Sequence, residues 1–528
     1  MKKNLLYCGD NLEILNKCVE TESIDLIYID PPFNSKRDYN IFFDSKEIQT
    51  QRIAFEDTWS YKNIQDSLGE LRTLQTHNLY TLLEAYRIVA PIAFPYLVVM
   101  TLRLIELHRV LKTTGSFYLH CDSTMNHYLK TICDAIFGER NFRNEIIWKR
   151  QSAHSDAKRY ARISDSILFY TKSDKFTWNK VRGEYKEHYV SSHYTNADKD
   201  GRVFRYSDLT KPKGSKGYYY MLLGCPPPEN GWRMPESRAR EWLNENRIEI
   251  PTKGKIPAYK RYLDEMEGPV IPNIWDDIAP VNSQAKEGLG YPTQKPRALL
   301  DRIIQASSNS GDIILDAFCG CGTSIDAAEG LHRRWLGIDI SPVAISLIKR
   351  RMAETYKHQL SSFEVLGVPK DEPSAIKLWQ ENAFAFQDWW LMEYEVFSTT
   401  LGTKGPDKGI DGLGLFADIN SEPARVGFQV KGGKNVSSKD IDALFGAMHK
   451  LQCSMGVFLS IKPPTSPMME AVASADFINI GKKAYPKLQL LTLHDHFLNR
   501  RPKLPPYNLT FKSAQFMSKT FKQSSLSF

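Results

Sequence analysis

Ile24-Asp25-Leu26-Ile27-Tyr28-Ile29-Asp30-Pro31-Pro32-Phe33 is the stretch from which the rest of the chain is read. The apolar run from Leu26 to Ile29 predicts a buried strand. Asp30 ends it, and two prolines forbid continuation as strand or helix. A carboxylate, a rigid Pro-Pro turn and an aromatic ring are thereby set at the C-terminal edge of a sheet, where α/β folds place their ligands.

That combination suits attack by an exocyclic amine, a weak nucleophile because its lone pair is delocalised into the ring. The Asp30 side chain and the Pro31 carbonyl form an acceptor pair for its two hydrogens, favouring tetrahedral nitrogen, and Phe33 can stack on the base. A base reaches such a pocket only by flipping out of a duplex. An ordinary Asp-Pro turn at a strand end uses the same residues, and the stretch alone does not separate the two readings.

Outward from it, 528 residues are too many for one core, and roughly three domains are expected. Hydrophobic content of 42% and charged content of 25% are ordinary for a globular protein. The net charge of +8 suits a nucleic-acid partner, although many basic proteins bind none. Eight cysteines without a CxxC pair indicate neither a disulfide framework nor a zinc site. Cys319-Gly320-Cys321 reads as small packing residues in a turn. Met1-Lys2-Lys3-Asn4 leads directly into strand-like sequence with no signal peptide. The most apolar run, Ile88 to Leu102, contains Pro91 and Pro95 and falls short of the ~20 residues a spanning helix needs. A buried segment and a reducing cytoplasm are the expectation.

Residues 1–150 alternate strand and helix, which implies a mostly parallel sheet covered on both faces. Gly9-Asp10-Asn11 follows a short strand and can cap a helix running to Cys18. Helical spacing covers 97–112, a strand Gly115–Cys121, and a second helix 124–137, stopped by Gly138. From about 150 to 275 periodicity weakens. Lys149, Arg150, Lys158, Arg159 and Arg162 cluster there, followed by Tyr185, Tyr189, Tyr194 and Tyr218 to Tyr220 among further basic residues. Basic side chains interleaved with aromatics suit phosphate contacts and stacking, and they equally suit an irregular insertion with solvated lysines. Regularity returns at 292–352. A helix is predicted over 297–307, then Asp312-Ile-Ile-Leu-Asp316-Ala-Phe318-Cys-Gly320-Cys-Gly322-Thr323-Ser324 gives strand, glycine turn and helix. The next strand ends at Asp339, 19 positions after Gly320. Such spacing lets an acidic residue bind a ribose hydroxyl pair.

On these motifs, residues 1 to about 355 resemble the β class of amino-group DNA methyltransferases, including modification subunits of restriction systems. The order is that of the class: Asp30-Pro31-Pro32-Phe33, the insert, Pro292-Thr293-Gln294-Lys295-Pro296, then the glycine motif and Asp339. The resemblance implies S-adenosyl-L-methionine (AdoMet) as cofactor. Phe318, Gly320, Gly322 and Thr323 would cradle its methionine part. Asp316 would contact its amino group or order the loop, Asp339 would take the ribose hydroxyls, and Asp10 would face the adenine. Lys295 matches a motif bordering the AdoMet pocket. Asp30, Pro31, Pro32 and Phe33 would hold the flipped base. An initial Asp points to adenine N6 rather than cytosine N4, and Phe33 stands where Tyr is frequent.

Residues 361–382, polar with Pro369 and Pro373, read as a linker. The segment 383–500 resembles the Mrr-like branch of the PD-(D/E)xK nucleases on Gly409-Ile410-Asp411-Gly412 and Gln429-Val430-Lys431, with Phe386-Gln387-Asp388 on an opening helix. The resemblance makes Asp411, Gln429 and Lys431 catalytic. Asp411 would bind Mg2+ and Lys431 orient the attacking water. Glu393 or Glu395 would complete the metal shell, and Lys434 and Lys439 would contact phosphate. Gln429 stands where many relatives carry Glu and cannot supply charge to a metal, so an inactive nuclease fold stays open beside a cutting one. Lone histidines such as His120, His154 and His449 attract no role.

The expected fold class is α/β: a Rossmann-like AdoMet-dependent methyltransferase over 1–150 and 276–360, with a target-recognition insert at 151–275 and a C-terminal PD-(D/E)xK nuclease-like domain. A basic tail of unassigned role follows at 501–528. The expected partner is double-stranded DNA in a bacterial or archaeal nucleoid, with no membrane and with a homodimer allowed. The rival readings are N4-cytosine methylation, methylation of RNA or of a protein glutamine, an inactive nuclease domain that only binds DNA, and a catalytically silent DNA-binding module.

Overall fold

The computed structural model describes residues 3–32, 67–69, 71, 77–150, 160–281, 287, 294–398, 409–418, 421–433 and 436–508. Phe33, Lys158, Arg159, His154, Lys434 and most of the basic tail lie outside them.

Among the described residues nine strands build the first sheet: β1 Asn4–Cys8, β2 Ile24–Ile29, β3 Leu111–Cys121, β4 Phe142–Lys149, β5 Ser164–Thr171, β6 Ile274–Trp275, β7 Ile313–Asp316, β8 Arg334–Asp339 and β9 Phe363–Leu366. Their order is β6-β4-β5-β3-β2-β7-β8-β1-β9. The run from β3 to β9 is parallel throughout, and β5 is antiparallel to both neighbours. Helices α1 Asn11–Cys18, α2 His77–Val89, α3 Phe94–Val110, α4 Asn126–Phe137, α5 Arg297–Ser307, α6 Thr323–Gly330 and α7 Pro342–Tyr356 alternate with these strands. The central strand β2 is buried at nearly every position, as expected of a parallel strand covered on both faces. Ile27, Ile29, Leu97, Leu104, Phe117, Leu119, Leu315 and Ile338 share one core.

The predicted helix 97–112 is shifted: α3 starts at Phe94, with Pro95 tolerated in its first turn, and the chain becomes strand at Leu111. Val110 and Leu111 are both apolar and buried on either side of this joint, so the pattern did not mark it. Gly138 ends α4 at φ +87°, a conformation glycine adopts freely.

Lys180–Pro272 forms a compact body of its own. Strand β5, within the stretch expected to be insert, belongs to the first sheet, because Ile167 to Tyr170 are buried against β3 and β4. The separate body has a four-stranded antiparallel sheet, ordered Asn196–Ala197, Val203–Asp208, Ala258–Tyr262, Ile248–Glu249. Its core contains Leu209, Leu222, Trp232, Met234, Ala239 and Ile248.

The expected linker carries regular structure. β9 pairs with β1 as the edge of the first sheet, and α8 Glu372–Glu381 buries Ala375 against the C-terminal core, with Ile376, Leu378 and Trp379 packed beside it. Pro373 sits in the first turn of α8, where its missing N–H costs nothing, and Asp371 with Ser374 forms a capping box. After α9 Ala383–Met392 come β10 Phe397–Ser398, β11 Gly412–Ala417, β12 Ala424–Lys431, α10 Ser438–Lys450, β13 Met455–Ser460, α11 Ser466–Ala473, β14 Leu488–Thr492, α12 Leu493–Phe497 and β15 Tyr507–Asn508. The sheet runs β10-β11-β12-β13-β14, antiparallel up to β12 and parallel after it, with β15 on β11. Among the described residues no helix is long and apolar enough to cross a membrane. All eight cysteines are free.

Candidate active sites

Parallel strands end on one edge, and this brings together residues far apart in sequence. Asp10 follows β1, Asp30 follows β2, His120 lies near the end of β3, and Asp316 and Asp339 end β7 and β8. The glycine motif spans the step between β7 and α6. Gly320 and Gly322 have φ of +49° and +77°, and a Cβ on Gly322 would lie 2.6 Å from Ile348 of α7, so a larger residue is excluded on both counts. The Asp316 carboxylate accepts from the Phe318 backbone N–H at 3.0 Å and from the Ser324 hydroxyl. Asp339 accepts from the Gly320 N–H at 2.8 Å and from the Ser341 N–H at 2.9 Å. The two carboxylates thus hold the turn and the start of α7. Burial pushes Asp316 up to about 7, with the charges of Asp30 and Asp339 adding to the shift. Thr323, first residue of α6, accepts from Arg351 at 3.2 Å. Phe318 packs at the margin of the core. Narrow turn, buried carboxylates and the N–H groups opening α6 form a cradle suited to a ligand bearing an ammonium, a carboxylate and a ribose.

Asp10 has a structural occupation that the sequence reading only half contained. One carboxylate oxygen caps α1, accepting from Leu12 and Glu13 at 2.9 and 3.1 Å, and the other accepts from Arg103 at 2.6 Å. Arg103 also donates to Asn11 at 2.6 Å and is buried in α3. An arginine at the end of the most apolar run was the available signal that a carboxylate partner awaited it.

At the end of β2, Lys295 donates to the Asp30 carboxylate, both side chains being largely buried. Beneath this pair lies a chain of polar groups that sequence reading missed. The Tyr28 hydroxyl is 2.9 Å from His120 Nδ1, His120 Nε2 is 3.3 Å from Asp165, and Asp165 pairs with Arg150 at 3.1 Å. Burial and the charges of Asp30, Asp316 and Asp165 keep Tyr28 protonated. Burial pushes Asp165 up, but the His120 hydrogen bond and the charges of His120, Arg150 and Lys295 outweigh it and hold the carboxyl below the usual aspartate range. A lone histidine gave no periodic signal. Only pairing of β3 with β2 and β5 shows what it joins.

In the separate body, the tyrosines divide into two kinds. Tyr185 and Tyr189 stack at 5.2 Å, Tyr189 stacks on His193 at 4.2 Å, and Tyr194 is buried under Arg205. Tyr218 and Tyr219 are exposed, on a stretch bridged through Tyr218 to the fully buried Trp232. Residues 209–228 around them carry three lysines and no acidic residue.

At the C-terminal sheet, Asp411 precedes β11 and Gln429 and Lys431 lie at the end of its antiparallel partner β12, so the three share one edge. Asp411, buried, accepts from the Val430 N–H at 2.7 Å. Gln429 is also buried, and among the described residues its Oε1 has no hydrogen-bond partner. A carboxylate beside an unpaired amide oxygen is a donor set that a hard divalent cation accepts. Among the described residues no group of three or more His, Cys, Asp or Glu is assembled to hold a metal. Glu393 faces Lys349 and His496, each at 3.9 Å, and Glu395 sits at φ +53°. Burial pushes Asp388, on α9, up to about 7, and it is hydrogen-bonded by Ser398.

Residues 24–350 match the DNA methylase family, whose members act on adenine N6 or cytosine N4. The chain belongs to that family. Residues 384–480 of this DNA methylase match the Mrr-type restriction endonuclease family. It is similar to the type II methyltransferase M.EcaI of Enterobacter cloacae, 28% identical over 355 residues, covering 66% of this chain and 69% of that one. It is also similar to the Mod subunit of the type III restriction-modification enzyme StyLTI of Salmonella typhimurium, 28% identical over 347 residues, covering 62% of this chain and 50% of that one. The DNA adenine methyltransferase YhdJ of Escherichia coli is 25% identical over 346 residues, covering 65% of this chain and 81% of that one. The chain therefore spans half of the StyLTI subunit's length and little more than two thirds of M.EcaI.

Proposed function

We propose that this DNA methylase transfers a methyl group to adenine N6 in duplex DNA within a restriction-modification activity, and that its C-terminal domain cuts DNA. The observation that carries the first part is the shared strand edge: Asp30 and Pro31 stand on it together with the glycine turn and Asp316 and Asp339. Asp316 and Asp339 would hold the ammonium and ribose of AdoMet, with the turn from Phe318 to Thr323 against its methionine part. Bound AdoMet supplies the methyl group on a sulfonium centre. The Asp30 carboxylate and the Pro31 carbonyl accept the two amine hydrogens of a flipped adenine, which pulls the nitrogen toward a tetrahedral, nucleophilic state. Holding amine and cofactor on one rigid edge supplies much of the rate by proximity. Aspartate at the head of the motif, and the likeness to a relative named as an adenine methyltransferase, favour adenine over cytosine.

In the insert, Lys211, Lys213 and Lys216 with the exposed Tyr218 and Tyr219 form the DNA-facing surface, because Tyr185 and Tyr189 are stacked on one another, Tyr194 is buried and Tyr220 packs on Trp232. At the C-terminal edge, Asp411 and Gln429 Oε1 would hold Mg2+, which supplies charge to the scissile phosphate and a bound water, and Lys431 offsets the developing charge.

The test is Asp30→Ala in the full chain, assayed on unmethylated bacterial DNA with labelled AdoMet and long-read detection of modified bases. Transfer should fall by about 1,000-fold or more while AdoMet affinity holds within about twofold. Normal methylation by the variant would sink the assignment, and modified cytosines in place of adenines would move it to N4.

A further inference from the structure

We propose that Lys295 is a positioning residue for methyl transfer, offsetting the negative charge crowded around the Asp30 carboxylate and aiming that carboxylate at the target amine. This rests on the reading of Asp30 as the acceptor of that amine, and it departs from the expectation that Lys295 belongs to the border of the AdoMet pocket. Three observations point the same way.

The contact is a desolvated one. Lys295 and Asp30 are 12% and 17% exposed at their side chains, so the pair is not the solvated kind that contributes little. The lysine is also held from behind. It immediately precedes Pro296, the N-cap of α5, and that helix buries Leu299, Leu300, Ile303 and Ile304. The anchored backbone brings the ammonium to Asp30 Oδ2. Among the described residues Oδ1 has no such partner, and a carboxylate accepts at both oxygens, so amine and ammonium can be bound at once.

Negative charges converge on the pair. Asp316 and Asp339 reach the same edge from β7 and β8 and Asp165 approaches from β5, while Tyr28 of β2 and His120 of β3 lie beneath and Arg150 pairs with Asp165. Cys321 of the glycine turn feels the Lys295 charge from the remaining side. Carboxylates crowded into a buried edge push one another toward the protonated form. Asp316 already responds in this way to Asp30. A protonated Asp30 would offer the amine a donor where it needs an acceptor. Lys295 stands against that outcome, and it also reaches Asp165, where its charge helps keep the carboxyl ionised.

The experiment compares Lys295→Met and Lys295→Arg with wild type in the full chain, measuring turnover on unmethylated DNA from about pH 6 to 9 and AdoMet affinity by calorimetry. Lys295→Met should lose about 100-fold in kcat at the acid end. Its acid limb should move up by about one pH unit or more, so that much activity returns in alkali. AdoMet affinity should stay within twofold, and Lys295→Arg should restore most of the rate and the wild-type limb. An unmoved pH profile in Lys295→Met overturns the assignment. So does a loss that follows weakened AdoMet binding, which would return Lys295 to the cofactor pocket. Asp30→Ala run alongside separates the levels. If that variant methylates normally, the reading of Asp30 fails and this assignment with it. If only the Lys295→Met profile fails to move, the assignment alone falls.

Discussion

Asp316 is the residue whose environment makes the sharpest demand on a ligand. Its folded pKa is raised to about 7 by burial, against an ordinary value of ~3.9. A carboxyl raised in the fold contributes stability that is fully present below the unfolded value and is lost as pH rises through about 7, where the buried charge must form. A cationic amino group bound at Asp316 reverses that cost. AdoMet should therefore bind about tenfold more weakly at pH 6 than at pH 8, and Asp316→Asn should flatten the dependence while weakening binding. Calorimetry at the two pH values decides it, and a flat wild-type profile would show that Asp316 does not meet the cofactor's ammonium. Its position was readable from Asp316-x-x-x-Gly320-x-Gly322, but its protonation was not. That depends on Asp30 and Asp339 converging from β2 and β8, hundreds of residues apart in sequence. Asp10 shows the same limit, since the capping role followed from the sequence while the ion pair with Arg103 required α1 and α3 to pack.

Helix α8 shows how an element is lost to sequence reading. Two prolines and many polar residues suggested a linker, yet Pro373 stands in the first turn, where proline is tolerated, and Ala375, Leu378 and Trp379 recur at helical spacing. Trp379 packs so closely on Gly432, next to Lys431, that a Cβ there would meet the indole at 2.0 Å. Trp379→Ala should lower the stability of the C-terminal domain by about 2 kcal/mol and leave methyl transfer intact. Urea melts followed by near-ultraviolet dichroism and by residual methylation would show it. A loss shared equally by both activities would mean that α8 supports the whole chain. By contrast, α5 emerged at its expected 297–307 because its apolar residues repeat at helical spacing without interruption.

For the whole molecule, the methylase strand edge and the Asp411 edge of the endonuclease-like domain belong to two sheets joined through α7 and α9, where Val343, Leu347 and Met392 pack together. Asp411→Ala should abolish magnesium-dependent cutting of unmodified DNA and leave methyl transfer within about twofold of wild type, because Asp411 lies on a different sheet from Asp30. Nicking gels and labelled AdoMet read the two activities separately. Persistent cutting would remove Asp411 from the site, and absence of cutting in wild type would leave the domain as a DNA-binding module.

The sequence by itself determined the α/β alternation, the strand ends carrying Asp30, Asp316 and Asp339 and the glycine turn, since each is written in residues close to one another, while the grouping of Asp411 with Gln429-Val430-Lys431 came from a family resemblance. Only the tertiary structure decided that Lys295 grips Asp30, that Tyr28, His120 and Asp165 form one chain beneath it, that β5 belongs to the first sheet, and which tyrosines of the insert remain exposed. Local sequence sets backbone preferences over a few residues, whereas a buried charge takes its partner and its protonation from whatever strand or helix is packed beside it.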